Sequence, residues 1–142
     1  MKDAVADSSL ALKWVIGESD SDLALSLRSH YRFRAPDLIH AECANALWKL
    51  AARNQIPSRA ASVAIRAMQA DPMEIVATRS LMEDALRLAL EIDHPAYDCI
   101  FAALAWREAC PMITADKTFA RKMEGHAIAV LDMEAALVAV QS

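Results

Sequence analysis

Met112-Ile113-Thr114-Ala115-Asp116-Lys117-Thr118-Phe119 reads as a short strand that ends at an acid and hands over to a helix. The apolar run Met112–Thr114 has strand length, and Lys117–Met123 continues with helical spacing. The N-terminus repeats the arrangement: Ala4–Ala6 is a strand, Asp7 closes it, and a helix follows over Ser9–Ile16. Between these ends, strands are expected at Phe33–Ala35, Ile75–Ala77 and Ala127–Leu131. Helices are expected over Asp20–His30, Asp37–Arg53, Ser80–Ile92, Ala96–Glu108 and Met133–Val140, with another opened by Pro57 and Ser58 and running to Ala70. Strands that alternate with helices imply right-handed crossovers and a mainly parallel sheet covered by helices. In such sheets ligands bind beyond the carboxyl ends of the strands, where both Asp7 and Asp116 are expected.

The chain has 142 residues, 56% of them hydrophobic and only two of them glycine, which suits one domain with a closely packed core, residues 1–142. No signal peptide and no bilayer-length apolar run is visible, so a soluble, cytoplasmic protein with no membrane association is expected. Cys43, Cys99 and Cys110 lack metal-ligand spacing and lie in apolar stretches, where they read as small buried hydrophobes. The net charge of −4 argues against bulk attraction to nucleic acid but does not preclude local contact with RNA.

Two further acids stand out. Asp98 directly precedes the mostly apolar run Cys99–Trp106, so its helix is expected to be buried nearly all round. A carboxylate in the first turn there gains from the helix dipole, yet burial demands partners or a metal. Glu42 shares a helical face with Asn45, Lys49 and Arg53, opposite Ile39, Cys43, Ala46, Leu47 and Leu50. A solvated polar stripe explains that face equally well, just as helix capping explains Asp7 and Asp116. Capping and metal ligation are compatible, since one carboxylate oxygen can take a backbone N–H while the other faces an ion. Gathered by the fold, the four acids make a negative pocket suited to a divalent cation and to phosphodiester hydrolysis.

The contexts of these acids narrow the reading. Val5-Ala6-Asp7-Ser8-Ser9, Ala35-Pro36-Asp37-Leu38 through Glu42-Cys43-Ala44-Asn45-Ala46-Leu47, His94-Pro95-Ala96-Tyr97-Asp98-Cys99 and Ile113-Thr114-Ala115-Asp116-Lys117-Thr118-Phe119 occur in this order. Taken together, the chain resembles a PIN-domain ribonuclease of the VapC toxin type along essentially its whole length. The resemblance implies a three-layer α/β/α fold around a mainly parallel sheet. It implies that Asp7, Glu42, Asp98 and Asp116 form an acidic quartet for Mg²⁺ or Mn²⁺, with the hydroxyls of Ser9 and Thr114 in support. Asn45, one turn beyond Glu42, is a candidate to orient that carboxylate. The chain departs from the pattern at Ala109-Cys110-Pro111, where relatives often carry a glycine.

The implied activity is endonucleolytic cleavage of structured RNA, such as tRNA or ribosomal RNA, leaving a 5′-phosphate. Lys13, Lys49, Arg53 and Lys117 are candidate phosphate contacts because they lie near the motifs, although ordinary surface charge explains each as well. The resemblance further implies a homodimer silenced by a VapB-type antitoxin. Apolar residues over Leu38–Ile56 and Val63–Met68 are candidates for a partner groove, with core packing as the competing account. Haloacid-dehalogenase-like and receiver folds also place an acid after a first strand. The former needs a second Asp where Ser9 stands, and the latter needs an acidic pair. A catalytically silent RNA-binding or antitoxin-binding PIN-like module is the alternative of a different class.

Overall fold

Five short strands, all parallel, run through the middle of the molecule in the order β3-β2-β1-β4-β5. The computed structural model describes residues 1–141. Its strands are β1 (Lys2–Ala6), β2 (Tyr31–Pro36), β3 (Glu74–Val76), β4 (Met112–Thr114) and β5 (Val130–Asp132). Its helices are α1 (Ser8–Val15), α2 (Ser21–Ser26), α3 (Leu38–Ala52), α4 (Ser58–Ala70), α5 (Met82–Ile92), α6 (Ala96–Arg107), α7 (Lys117–Lys122) and α8 (Met133–Gln141). The chain steps leftward from β1 through β2 to β3, then crosses back to β4 and on to β5. Right-handed crossovers therefore put α1–α4 on one face and α5–α7 on the other. Packing agrees: α6 lies on β1 and β2 beside α5, while α1, α3 and α4 pack together across the sheet and α8 covers β4 and β5. This is the three-layer α/β/α fold.

Central strands buried on both faces need continuous apolar residues, and Ala4, Val5, Ala6, Met112 and Ile113 are completely buried. Helix α6 is buried from Cys99 to Ala105, as its unbroken apolar run requires. Trp106 is the exception and stands largely exposed. In α3 the buried residues are Ile39, Cys43 and Leu47, the apolar side of the stripe that carries Glu42. Of the apolar residues considered for a partner groove, Ile39, Cys43, Leu47, Ala64 and Met68 are buried, while Trp48 and Val63 are large side chains that stand exposed.

Several expected boundaries shift, β1 and β2 each beginning two residues earlier, at Lys2 and Tyr31. The Asp20–His30 helix is broken: α2 ends at Ser26 and a 3₁₀ turn covers Leu27–Ser29. Ser26 and Ser29 each donate their hydroxyl to a carbonyl three residues back, at 2.7 Å, a local bond that competes with regular helix. Strand β3 begins one residue before the expected Ile75. Strand β5 occupies Val130–Asp132, three residues later than the expected start, because its partner β4 offers only three residues to pair: Met112, Ile113 and Thr114 face Val130, Leu131 and Asp132.

The departure at Ala109 has a structural consequence. Ala109 follows α6 with φ of 52°, the left-handed conformation in which a side chain crowds the following carbonyl. It closes a Schellman cap: Cys110 N–H donates to the Ala105 carbonyl at 3.0 Å and Ala109 N–H to Trp106 at 3.2 Å. Asn54 makes the same cap on α3 with φ of 56°, using a residue that tolerates it. Ala109→Gly is therefore expected to stabilise the protein. Relief of about 1–2 kcal/mol of strain is partly offset by about 0.4–1 kcal/mol of added unfolded-chain entropy. Urea unfolding midpoints of the two proteins check this; an unchanged or lower midpoint for Ala109→Gly contradicts it.

Candidate active site

The sheet reverses its winding between β1 and β4, and the crevice beyond their carboxyl ends is where open parallel sheets bind ligands. Asp7 follows β1 directly and Asp116 lies two residues after β4. Both do cap helices, as the plainer reading expected. Asp7 Oδ1 accepts from Leu10 N–H at 2.9 Å, and Asp116 Oδ1 accepts from Thr118 N–H at 3.0 Å. Their surroundings differ. Asp116 is exposed, whereas Asp7 is buried to 5% exposure.

Asp7 is held by two hydroxyls. Ser9 Oγ donates to Oδ1 at 2.8 Å and Thr114 Oγ1 donates to Oδ2 at 2.5 Å. Each hydroxyl also accepts from the β4–α7 turn: Ala115 N–H reaches Ser9 at 3.0 Å and Asp116 N–H reaches Thr114 at 2.9 Å. A hydroxyl has one proton, and both are committed to Asp7, so the 3.2 Å approach of Ser9 to Thr114 is a contact between acceptors. This network ties α1 to β4 through one carboxylate. Burial raises the Asp7 pKa to about 6. The bonds from Thr114, Leu10 and Ser9 oppose that rise, and the Asp98 charge adds to it.

Glu42, half-buried on α3, accepts from Ser8 Oγ at 3.1 Å. Its pKa is raised by burial, with Ser8 opposing and the Asp98 charge adding. Asp98 thus lies within electrostatic reach of both Asp7 and Glu42, so three of the four acids share one field. Thr114 bonds Asp7 on one side and the Asp116 backbone N–H on the other, while the Asp116 carboxylate caps α7 and contributes to neither shift. Asp98 itself pairs with His94, Nε2 to Oδ2 at 2.8 Å. Among the described residues, none of the Lys or Arg ion pairs involves Asp7, Glu42, Asp98 or Asp116.

The expectation for Asn45 needs correction. Asn45 is exposed, and the group that bonds the Glu42 carboxylate is Ser8, reaching across from α1. Sequence reading also passed over His94 and Lys122, although His94 lies four residues before Asp98, within reach once Pro95 opens α6. The cysteines beside the acids stay protonated at neutral pH. Burial, then Glu42 and Asp7, pushes the Cys43 thiol up to about 12, and burial, then Asp98, pushes Cys99 up to about 11, with Lys122 opposing.

The four candidate cations divide. Lys13 is neutralised by Asp20 at 2.8 Å and Glu18 at 3.4 Å, and Lys117 lies 3.8 Å from Glu134. Lys49 and Arg53 make no ion pair among the described residues. Both line an open cleft of about 380 Å³ between α1 and α3, shared with the paired Lys13 and Glu18 and with Leu12, Ala46, Leu50, Ser9 and Asp116.

The donor chemistry suits a hard divalent cation: carboxylate oxygens, supported by hydroxyls, in a field without a balancing cation. Among the described residues, no three acidic, His or Cys side chains stand close enough to enclose an ion unaided. Hard divalent cations take oxygen donors of this kind and commonly keep part of their hydration shell.

An α/β/α domain with Asp7 and Asp116 just beyond the two strands at its switch point defines a class of proteins. Residues 4–124 match the family model of the PIN domain, and the chain belongs to that family. Its fold is shared by PAE2754 from Pyrobaculum aerophilum, at a TM-score of 0.73 and 23% identity over 99% of this chain and 90% of that one. It is shared also by VapC20 from Mycobacterium tuberculosis, described as a Sarcin-Ricin loop cleaving toxin, at 0.60 and 17% identity, covering 79% and 87% of the two chains. VapBC2 from Rickettsia felis, bound to a DNA fragment from their promoter, superposes at 0.62 with 12% identity, covering 92% and 98%. No curated protein sequence shows significant similarity to the chain. Among the described residues no helix is long and apolar enough to cross a membrane.

Proposed function

We propose that this chain is a metal-dependent endoribonuclease, the toxin of a VapBC-type toxin–antitoxin pair, acting on structured RNA such as tRNA or rRNA. One observation carries the reading. Asp7 is a buried carboxylate at the sheet's switch point, held by hydroxyls and one backbone N–H without a cation, in the field of a second acid. Its burial disfavours charge, and a divalent cation would reverse that preference.

In this reading Asp7, Glu42, Asp98 and Asp116 hold Mg²⁺ or Mn²⁺. When bound, such an ion supplies an activated water and neutralises charge on the scissile phosphate. The protein's own part is orientation: Ser9 and Thr114 lock the Asp7 carboxylate plane, and Ser8 fixes Glu42. Fold likeness to VapC20 and VapBC2 supports the toxin assignment and a VapB-type antitoxin as partner. A homodimer acting in the cytoplasm is part of the same proposal. Purified protein incubated with total RNA and Mg²⁺ tests it, with the new 5′ ends sequenced. Cleavage that continues undiminished in chelated buffer would sink the mechanism.

The cleft along α3 gives RNA a path to the acids. Glu42 and Arg53 are separated by eleven residues of one helix, or about 16 Å. Lys49 and Arg53 are thus set to hold phosphates beyond the cleaved one. Lys49→Ala with Arg53→Ala is expected to lower kcat/KM on RNA about tenfold while leaving the saturated rate nearly intact. The log–log salt dependence should flatten by about 1.4, or about 0.7 per lost phosphate contact. A salt slope equal to that of the wild type removes both residues from the path.

A further inference from the structure

The turn between α5 and α6 fixes the backbone of one side chain on both sides. Asp93 takes a left-handed conformation with φ of 52°, and His94 N–H closes the α5 cap on the Ala89 carbonyl at 3.1 Å. Pro95 follows and starts α6. The His94 ring lies against Phe119 of α7, with centroids 4.8 Å apart. Its two nitrogens then meet opposite chemistries. Nε2 is 2.8 Å from Asp98 Oδ2, and Nδ1 is 3.3 Å from Lys122 Nζ. Lys122 is itself anchored, donating to the Asp93 carbonyl at 2.9 Å.

A lysine ammonium carries protons and no lone pair, so it can only donate to Nδ1; an ionised carboxylate can only accept from Nε2. One neutral ring satisfies both contacts, the tautomer with bare Nδ1 and a proton on Nε2. The bond this makes occupies Asp98 Oδ2. Asp98 Oδ1 takes no hydrogen bond among the described residues, which leaves its lone pairs uncommitted.

We propose that His94, as its Nε2–H tautomer, is a positioning residue that orients Asp98 for the metal, and that Lys122 holds the ring in that role from α7. The inference rests on the reading of Asp98 as a metal ligand. Carboxylates that bind metals are themselves hydrogen-bonded, and loss of such a partner typically costs about 10–100-fold in metal affinity. The relay also joins the α5 cap, α6 and α7 through Asp93, His94, Asp98 and Lys122.

Two readouts on the whole protein test this. Long-range ¹H–¹⁵N spectra of metal-free protein identify which nitrogen of His94 carries the proton. A proton on Nε2 of His94 is expected; a proton on Nδ1, or on both nitrogens, overturns the proposal. Mn²⁺ titrations then compare variants. His94→Leu should bind Mn²⁺ about 10–100-fold more weakly. His94→Gln places an amide N–H where Nε2–H stood and should restore most of the affinity. Lys122→Met, at an exposed position, should lose affinity in the same direction and to a smaller extent. Equal affinities across the wild type, His94→Leu and Lys122→Met refute the positioning role, as does failure of His94→Gln to recover. A wild type that binds no Mn²⁺ while the tautomer is as expected points instead to failure of the metal reading itself.

Discussion

Asp7→Asn is expected to abolish metal-dependent RNA cleavage while making the metal-free protein more stable above pH 6. The two effects share one cause. Burial lifts the Asp7 pKa from 3.8 to about 6, so the folded chain holds that proton more tightly than the unfolded chain. A raised carboxylate pKa favours folding fully below pH 4, and the advantage is lost as pH climbs through about 6. At about 1.4 kcal/mol per pH unit, the ionised carboxylate costs the fold about 3 kcal/mol at pH 8. Asn removes the charge and fits the same network. Its oxygen accepts from Leu10 and Ser9, and its amide donates to Thr114. The freed Thr114 proton then turns to Ser9, 3.2 Å away. Allowing about 1 kcal/mol for a poorer hydrogen bond, the gain at pH 8 is about 1–3 kcal/mol and vanishes near pH 4. Cleavage should fall on the order of 10³-fold, the worth of several kcal/mol of lost charge stabilisation. Urea unfolding across pH, in chelator, reads the first effect, and single-turnover cleavage reads the second. An Asp7→Asn protein less stable than wild type at pH 8 would make Asp7 a structural cap.

Much of this arrangement was legible in the sequence because it depends on local order along the chain. Ala4–Ala6 and Met112–Thr114 are apolar runs with an acid just beyond and a helix following, so strand, direction and acid position are read together. Parallel winding then brings the two acids to the same end of the sheet without further information. The helix after Asp98 announced its burial by having no polar face. The last strand was less legible, since Ala127–Leu131 offers five apolar residues and only the partner's length selects which of them pair.

The groups that orient the acids were harder to read because they come from other elements. Ser8 reaches Glu42 across 34 residues and was missed, whereas Thr114, which reaches Asp7 across 107, was named only through the family resemblance. Helical spacing drew attention to Asn45 for Glu42, but spacing records neighbours on one helix and is blind to the helix packed beside it. His94 escaped for the opposite reason: Pro95 marks a break, and a break hides that residues on either side can still meet one turn apart. The phosphate candidates differ in their surroundings, although Lys13 and Arg53 line the same cleft. Lys13 stands one turn from Ser9 yet is bound by two acids of its own loop. Arg53, eleven residues from Glu42, lines the cleft that the site opens into.

Mn²⁺ is expected to raise the thermal stability of the wild type and to leave Asp98→Asn nearly unmoved. An ion that binds only the folded state adds about 2.7 kcal/mol at 100 times its dissociation constant. For a chain of this size that corresponds to a rise in Tm of about 5–11 °C, at about 2–4 °C per kcal/mol. If Asn weakens binding about 100-fold, the same Mn²⁺ concentration adds only about 0.4 kcal/mol, a shift of about 1 °C. The apo proteins should differ little. Asp98 sits in the first turn of α6, where a carboxylate gains about 0.3–1 kcal/mol from the helix dipole. Against that gain stands its repulsion of Asp7 and Glu42, which raises both of their pKa values. The two nearly cancel on substitution, and His94 can still donate to the Asn oxygen. Metal therefore separates the alternatives that stability alone does not. A helix-terminal acid with no ligand role predicts the same small metal response in both proteins. Thermal melts of wild type and Asp98→Asn, with chelator and with a Mn²⁺ series, read the difference directly, and equal shifts would remove Asp98 from the site.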